Sequence, residues 1–162
     1  MADYVILTGL ENKDIYFKNF KGASGIFNKE GDRNFGVYLS DEMAEELGGR
    51  GWNVKHVNKE TSPNYGRPYL KVLVRPNWRP TPKIYKITSK NKMRLNEESL
   101  EDLDDYVFDR IDMKITRVYL KRYDQWTQCL EKGFFTMAED ELDIMYPDEF
   151  TPFEEDDDNP FE

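Results

Sequence analysis

Cysteine and histidine are almost missing from this sequence, which contains one of each, Cys129 and His56. A single cysteine cannot form an intramolecular disulfide, and the two residues are too few for a cysteine- or histidine-based zinc site. No apolar run reaches the roughly 18 residues of a membrane-spanning helix, and the residues after Met1 do not resemble a secretory signal. We therefore expect a soluble cytoplasmic protein that has no cofactor and no contact with membranes.

Acidic residues are absent from Thr61 to Asn96, although the whole chain contains 32 of them. This segment instead holds nine Lys and Arg residues, with tyrosines and a tryptophan among them. A single strand of nucleic acid requires cations for its phosphates and flat rings for its unpaired bases. We therefore predict nucleic-acid binding by residues Tyr65, Arg67, Tyr69, Lys71, Arg75, Trp78, Arg79, Lys83, Tyr85 and Lys86.

Trp78 is the strongest single candidate, because it lies in a loop with three prolines, between Pro76 and Pro82, where a large ring has no obvious core to enter. The alternative for the segment is a solvated basic surface, with Tyr69 and Tyr85 as buried rings. Further candidates, several of which also fit core positions, are Arg33, Phe35, Tyr38, Trp52, Lys55, Lys121, Arg122, Tyr123 and Trp126.

The acidic residues are concentrated at the other end of the chain. Residues 139–162 hold twelve Asp and Glu and no base, which leaves 20 acids and 23 bases in residues 1–138. The net charge of −9 therefore conceals a mildly basic body. We predict a nucleic-acid-binding domain over residues 1–147 and a disordered acidic tail over residues 148–162.

Short alternating segments predict a mainly β protein with two short helices. Ser40 caps a helix that ends at Gly48 and Gly49, and Asn96 begins a second helix. Residues 51–57 alternate like a strand, while residues 111–123 and 126–137 predict a long hairpin. Without a βαβ rhythm, this pattern favours a small antiparallel barrel or sandwich. We prefer an OB-like barrel, because five or more strands with an inserted helix suit a chain of this length.

Two sets of residues resemble known families. The segment Asp156-Asp157-Asp158-Asn159-Pro160-Phe161 resembles the acidic tip of bacterial single-stranded DNA-binding proteins, although in that family the chain ends on Phe and here Glu162 follows. Residues 34–39, 51–55 and 83–89 look like those of small phage-encoded proteins thought to bind single-stranded DNA. The resemblance implies an OB-fold protein of a bacteriophage that coats single strands in the host cytoplasm.

The resemblance also implies roles in DNA replication or recombination, with little sequence preference and a possible homo-oligomeric state. Replication or recombination proteins would be recruited by the acidic tip, through Asp156, Asp157, Asp158, Pro160 and Phe161.

Two other functions are compatible with parts of the sequence. The net charge of −9 would suit an acidic DNA mimic that inhibits a host nuclease or defence complex. A Mg²⁺-dependent nuclease would need the carboxylates of Asp104, Asp105, Asp109 and Asp112, whose spacing matches no metal motif. We therefore expect a binding protein rather than an enzyme.

Overall fold

The computed structural model describes residues 3–25, 29–78 and 81–139. That part of the chain forms nine strands, one α-helix and three short 3-10 helices, the latter over Asn12–Asp14, Leu100–Asp105 and Lys121–Tyr123. In chain order the strands and the α-helix are β1 (Tyr4–Leu10), β2 (Ile15–Asn19), β3 (Arg33–Tyr38), α1 (Asp41–Gly49), β4 (Lys55–His56), β5 (Pro68–Val74), β6 (Lys83–Ile87), β7 (Lys92–Arg94), β8 (Phe108–Leu120) and β9 (Gln125–Met137).

The nine strands form one sheet, whose main path has the order β1-β8-β9-β5-β3-β2. Off this path, β4 pairs with β5, and β6 pairs with β9 and β7. The two ends of the main path, β1 and β2, are consecutive in the chain and are separated only by the turn around Asn12–Asp14. The neighbours along this path are antiparallel, except for β5 and β9, which run parallel. This arrangement agrees with the predicted OB-like barrel, although the ladder itself does not close between β1 and β2.

Aromatic side chains form the centre of the hydrophobic core, on the inner face of the sheet. Phe20, Phe35 and Phe135 are fully buried, and the ring centroid of Phe20 lies 5.3 Å from that of Phe35 and 5.6 Å from that of Phe135. On β5, Leu70 and Val72 point into the same core. Since full burial of a large apolar side chain stabilises a fold by about 1.5 to 3 kcal/mol, these residues hold the strands in register.

The helix α1 forms where the sequence predicts it. The side-chain oxygen of Ser40 accepts a hydrogen bond from the Met43 N–H at 3.1 Å, and Leu47 anchors the helix in the core. The predicted strand over residues 51–57 is shorter than expected and contains only β4, because Trp52 turns inward and donates its indole N–H to Asp3 at 2.7 Å. Within the described residues, no helix is long and apolar enough to span a bilayer.

The second predicted helix is a 3-10 helix over Leu100–Asp105. This helix begins one turn later than predicted, at Leu100, and Asn96 caps the turn that leads into it. Its side-chain oxygen accepts a hydrogen bond from Ser99 N at 2.9 Å, and Ser99 Oγ accepts one from Asn96 N at 2.8 Å. Leu100 and Leu103 are both buried, so the segment packs against the core. The long hairpin predicted near the end of the chain is confirmed as β8 and β9.

Candidate nucleic-acid interface

The outer surface of β2, β3 and β5 combines tyrosines with lysines. In the antiparallel register, Tyr16 lies opposite Gly36 and Gly36 opposite Lys71, so their side chains share one face of the sheet. In the next row Tyr69 lies opposite Tyr38 on one side and opposite Lys55 of β4 on the other. We call this surface the aromatic face; its members are Tyr16, Phe17, Tyr38, Lys55, Arg67, Tyr69 and Lys71.

The rings of the aromatic face pack on one another above a glycine. The Tyr16 ring stacks on Tyr38 with 4.6 Å between centroids and 15° between planes, and meets Tyr69 edge-on at 5.2 Å. A Cβ atom on Gly36 would lie only 2.1 Å from the Tyr16 ring, so the ring rests directly on the backbone of β3. Burial raises the pKa of Tyr16, and its interaction with Tyr69 raises it further, so the hydroxyl stays neutral at ordinary pH.

Phe17 extends this cluster into solvent. Its side chain is 82% exposed, and its ring centroid lies 4.8 Å from that of Tyr16. The backbone of Phe17 is left-handed, with φ of +48°, a conformation that costs a residue with a side chain about 1 to 2 kcal/mol. A strained backbone that holds an apolar ring in water indicates a contact surface rather than a packing role.

Positive charge lies beside these rings. The Arg67 guanidinium lies 4.0 Å from the centre of the Tyr38 ring, in cation–π geometry. Lys55 and Lys71 are exposed and, together with Phe17 and Tyr69, line an open hollow of about 390 Å³. The hollow therefore offers flat apolar walls with cations at its rim.

Two further predicted residues, Lys83 and Tyr85, lie on another part of the outer surface, which is formed by β6, β7, β8 and β9. Lys83, Lys132 and Lys114 occupy one row of three adjacent strands. In the next row the Tyr85 ring stacks on Phe134, with 5.0 Å between centroids and 8° between planes. We call this surface the lysine face; its members are Lys83, Tyr85, Lys92, Arg94, Lys114, Lys132 and Phe134.

Four predicted residues lie outside both faces. Lys86 points away from Tyr85, and its ammonium donates to the Tyr106 hydroxyl at 3.3 Å. Tyr65 is exposed near the start of α1, and Arg75 pairs with Asp32 at 3.6 Å. Trp78 is half-buried, and its backbone N–H donates to the carbonyl of Arg75 at 3.1 Å.

The remaining predicted residues fall outside the described residues; they are Arg79 and the tip residues Asp156, Asp157, Asp158, Pro160 and Phe161.

The further candidates also separate into distinct environments. Phe35 and Trp52 are core residues, and Arg33 pairs with Glu97 at 3.6 Å. The exposed tip of the β8–β9 hairpin carries Lys121, Arg122 and Tyr123 in a 3-10 turn. Nearby, the Trp126 ring is half exposed and packs 5.2 Å from Tyr119 and 4.5 Å from the Arg117 guanidinium.

Sequence reasoning missed Tyr16 and Phe17, which are central to the aromatic face. Alternation treats the two as ordinary members of a strand, and only the unbroken run Ile15-Tyr16-Phe17 departs from it. Such a run requires one bulky side chain to face outward. The sequence alone does not show that Gly36 lies beneath it.

Two of the four carboxylates considered for Mg²⁺, Asp104 and Asp112, have structural partners. Asp104 accepts hydrogen bonds from the N–H groups of Phe20 and Lys21 at 2.8 and 3.0 Å. Asp112 accepts one from Gly9 N and pairs with Arg110 at 3.0 Å. In the part of the chain that the structure describes, no three His, Cys, Asp or Glu side chains form a potential metal site.

The comparison with known proteins agrees with this geometry. The family described as "Putative phage ssDNA-binding domain" matches residues 6–159, nearly the whole chain. None of the curated proteins matches the chain.

Two solved structures among those similar to this chain come from one bacteriophage. The single-stranded DNA-binding protein from bacteriophage Enc34 in a C-terminal truncation has a TM-score of 0.50 at 6% identity, covering 85% of this chain and 87% of that one. The same phage's protein in complex with ssDNA has a TM-score of 0.48 at 5% identity, covering 85% and 88%. The first likeness supports the fold, and the family match, which spans both faces, shows that this chain belongs to the family of phage single-stranded DNA-binding domains.

Proposed function

We propose that the protein binds single-stranded DNA through the aromatic face and coats it during replication or recombination of phage DNA in the host cytoplasm. The observation that carries this proposal is Phe17, an 82% exposed ring on a left-handed backbone beside stacked tyrosines. An unpaired base would stack on such a ring, which is worth about 1 to 3 kcal/mol per base. A duplex offers no unpaired base, so the same face favours single strands.

Phosphate groups would be neutralised by the three cations of the aromatic face, of which Lys55 and Lys71 line the hollow. Lys55 and Lys71 are exposed, and Arg67 is held by the Tyr38 ring. Three such contacts to a single strand correspond to a slope of about −2 in a plot of log affinity against log salt concentration. Binding should therefore combine a salt-dependent part from these cations with a salt-independent part from the rings.

We expect little preference for particular DNA sequences, because the side-chain amides near the hollow already form hydrogen bonds with the protein's own backbone. The side-chain oxygen of Asn19 accepts hydrogen bonds from Gly22 N and Ala23 N, at 3.0 and 2.8 Å. The Asn34 amide donates to the carbonyl of Asp32 at 3.0 Å. Reading a base requires hydrogen-bonding groups that face its edge, whereas ring stacking accepts every base.

The acidic end of the chain, residues 148–162, would compete with DNA for the basic body. These residues carry eight acids and no base, so they can imitate a phosphate backbone. We extend the proposal to the tip residues 156–161, which would also recruit replication or recombination proteins. The family match argues against the alternative of an acidic decoy and for a binding protein rather than an enzyme.

Titration of fluorescently labelled oligo-dT and of a duplex of equal length tests this function, with anisotropy read across a salt series. We expect tighter binding of the single strand, weakening with salt. A chain ending at Pro147 should bind more tightly than the full chain at low salt, with the difference fading as salt screens the charges. Equal affinity for both DNA forms would contradict the stacking mechanism, and equal affinity of both chains at low salt would contradict competition by the tail.

A further inference from the structure

The lysine face has the composition of a second DNA-contacting surface. Lys83, Lys132 and Lys114 lie side by side on three adjacent strands, and so span about 10 Å across the sheet. Lys92 and Arg94 on β7 extend the positive charge past Tyr85. A row of cations on a flat sheet is well suited to follow a phosphate backbone.

The acids on this face are already engaged by neighbouring groups. Asp112 pairs with Arg110 at 3.0 Å, and Glu131 pairs with Lys114 at 3.1 Å. A hydrogen bond from the Thr116 hydroxyl lowers the pKa of Glu131, and the hydrogen bond from Lys114 lowers it further, so this carboxylate stays ionised and paired. Among the described residues, no carboxylate forms an ion pair with Lys83, Lys92 or Lys132.

The same face contains an aromatic platform. The parallel rings of Tyr85 and Phe134 are half-buried, which leaves part of each accessible. The Lys92 ammonium lies 5.1 Å from the centre of the Tyr85 ring and 5.8 Å from that of Phe134. Rings flanked by cations repeat, on different strands, the chemistry of the aromatic face.

The two faces meet along β9. One edge of β9 pairs first with β5, where Leu73 lies opposite Cys129, and then with β6, where Lys83 lies opposite Lys132. Burial raises the pKa of the Cys129 thiol to about 11, and the nearby positive charge of Arg75 partly opposes this rise. Arg75 follows Leu73 by two residues, directly after the end of β5, and therefore lies close to this boundary, with Lys71 before it in the chain and Lys83 after it.

We propose that the lysine face is a second contact surface for the same DNA strand, which would pass from the aromatic face over Cys129 and Arg75 to the row of lysines. This inference rests on the proposed function, and it adds that one protein occupies a longer stretch of DNA than the aromatic face covers alone. The short strand bound by the aromatic face should be unaffected by changes at the lysine face. On this proposal DNA, and not the chain's own acidic end, occupies the lysine face. Oligonucleotide binding by a lysine-face variant distinguishes these two occupants.

The test compares oligo-dT of about 5 nucleotides, enough for one face, with oligo-dT of about 16 nucleotides, near the upper end of OB-fold site sizes. The variant carries Lys83→Glu and Lys132→Glu. The control carries the same charge change at Lys13→Glu and Lys59→Glu, two exposed residues outside the strands of both faces. Thermal unfolding of both proteins checks that neither change disturbs the fold.

We expect the variant to bind the longer oligonucleotide about tenfold or more weakly, with a salt slope smaller by about 1 to 1.5. Its affinity for the shorter one should stay within about twofold of the wild-type value, and the control should bind both like the wild type. Unchanged or tighter binding of the longer oligonucleotide by the variant would overturn the inference; tighter binding would assign the lysine face to the acidic end of the chain. If the wild type binds neither oligonucleotide, the proposed function itself fails.

Discussion

In the proposed mechanism, Phe17 serves DNA binding at a cost to the stability of the fold. Its left-handed backbone costs about 1 to 2 kcal/mol, and its ring gains little from burial because it is 82% exposed. Three residues later, Phe20 has a fully buried ring at the centre of the core. The same side-chain type therefore has opposite roles within one short segment, and the backbone conformation decides which.

Replacing Phe17 by glycine should leave the free energy of unfolding unchanged or raise it by up to about 1 kcal/mol. Glycine adopts positive φ without strain, although it loses about 0.5 to 1 kcal/mol more backbone entropy on folding. Chemical denaturation measures the change, and the control Phe20→Ala should lose about 3 to 5 kcal/mol. A loss of more than 1 kcal/mol in Phe17→Gly would show that the ring is a structural element.

At the scale of elements, the aromatic face depends on the register between β2, β3 and β5. Gly36 of β3 leaves room for the Tyr16 ring to lie flat on the sheet, where it meets Tyr38 and Tyr69. A one-residue shift of β2 would turn Tyr16 into the core and Ile15 out of it. The geometry of the face therefore follows from strand pairing as much as from its own residues.

Gly36→Ala should displace the Tyr16 ring, because the added methyl group would lie 2.1 Å from it. We expect the free energy of unfolding to fall by about 1 to 3 kcal/mol and the affinity for oligo-dT to weaken. The control is Gly48→Ala in α1, where an added Cβ has no neighbour within 4 Å. It should gain about 0.5 to 1 kcal/mol of stability and bind DNA normally. If Gly36→Ala binds oligo-dT as tightly as the wild type, the position of the Tyr16 ring does not contribute to DNA binding.

Elements that depend on local signals could be predicted, and those that depend on distant pairing could not. Ser40 and the glycines after Leu47 define α1 by themselves, and alternation along β8 and β9 reveals the hairpin. The aromatic face instead joins β2 to β5, which are more than 45 residues apart in the chain. Composition identified Tyr69 and Lys71 from the basic segment, but only pairing through β3 adds Tyr16.

At the scale of the whole molecule, charge is divided between a basic body and an acidic end. The candidate residues between Thr61 and Asn96 are predicted as one site, yet the fold places three of them on the aromatic face, two on the lysine face and four outside both. The reason is that β5 and β6 pair with different parts of β9, so consecutive strands present their outer side chains at different places. The OB-like fold thus spreads one basic segment over separate parts of the surface.

The most direct test of the aromatic face is the affinity of full-length Phe17→Ala and Phe17→Trp for labelled oligo-dT, measured by anisotropy beside the wild type. Because Phe17→Ala loses one stacking ring, its binding free energy for oligo-dT should be weaker by about 1 to 3 kcal/mol, which is roughly a 5- to 150-fold loss of affinity. Phe17→Trp retains a flat ring and should bind within about twofold of the wild type. If Phe17→Ala binds as tightly as the wild type, the strand does not stack on Phe17, and the assignment of the aromatic face as the DNA-binding surface is contradicted.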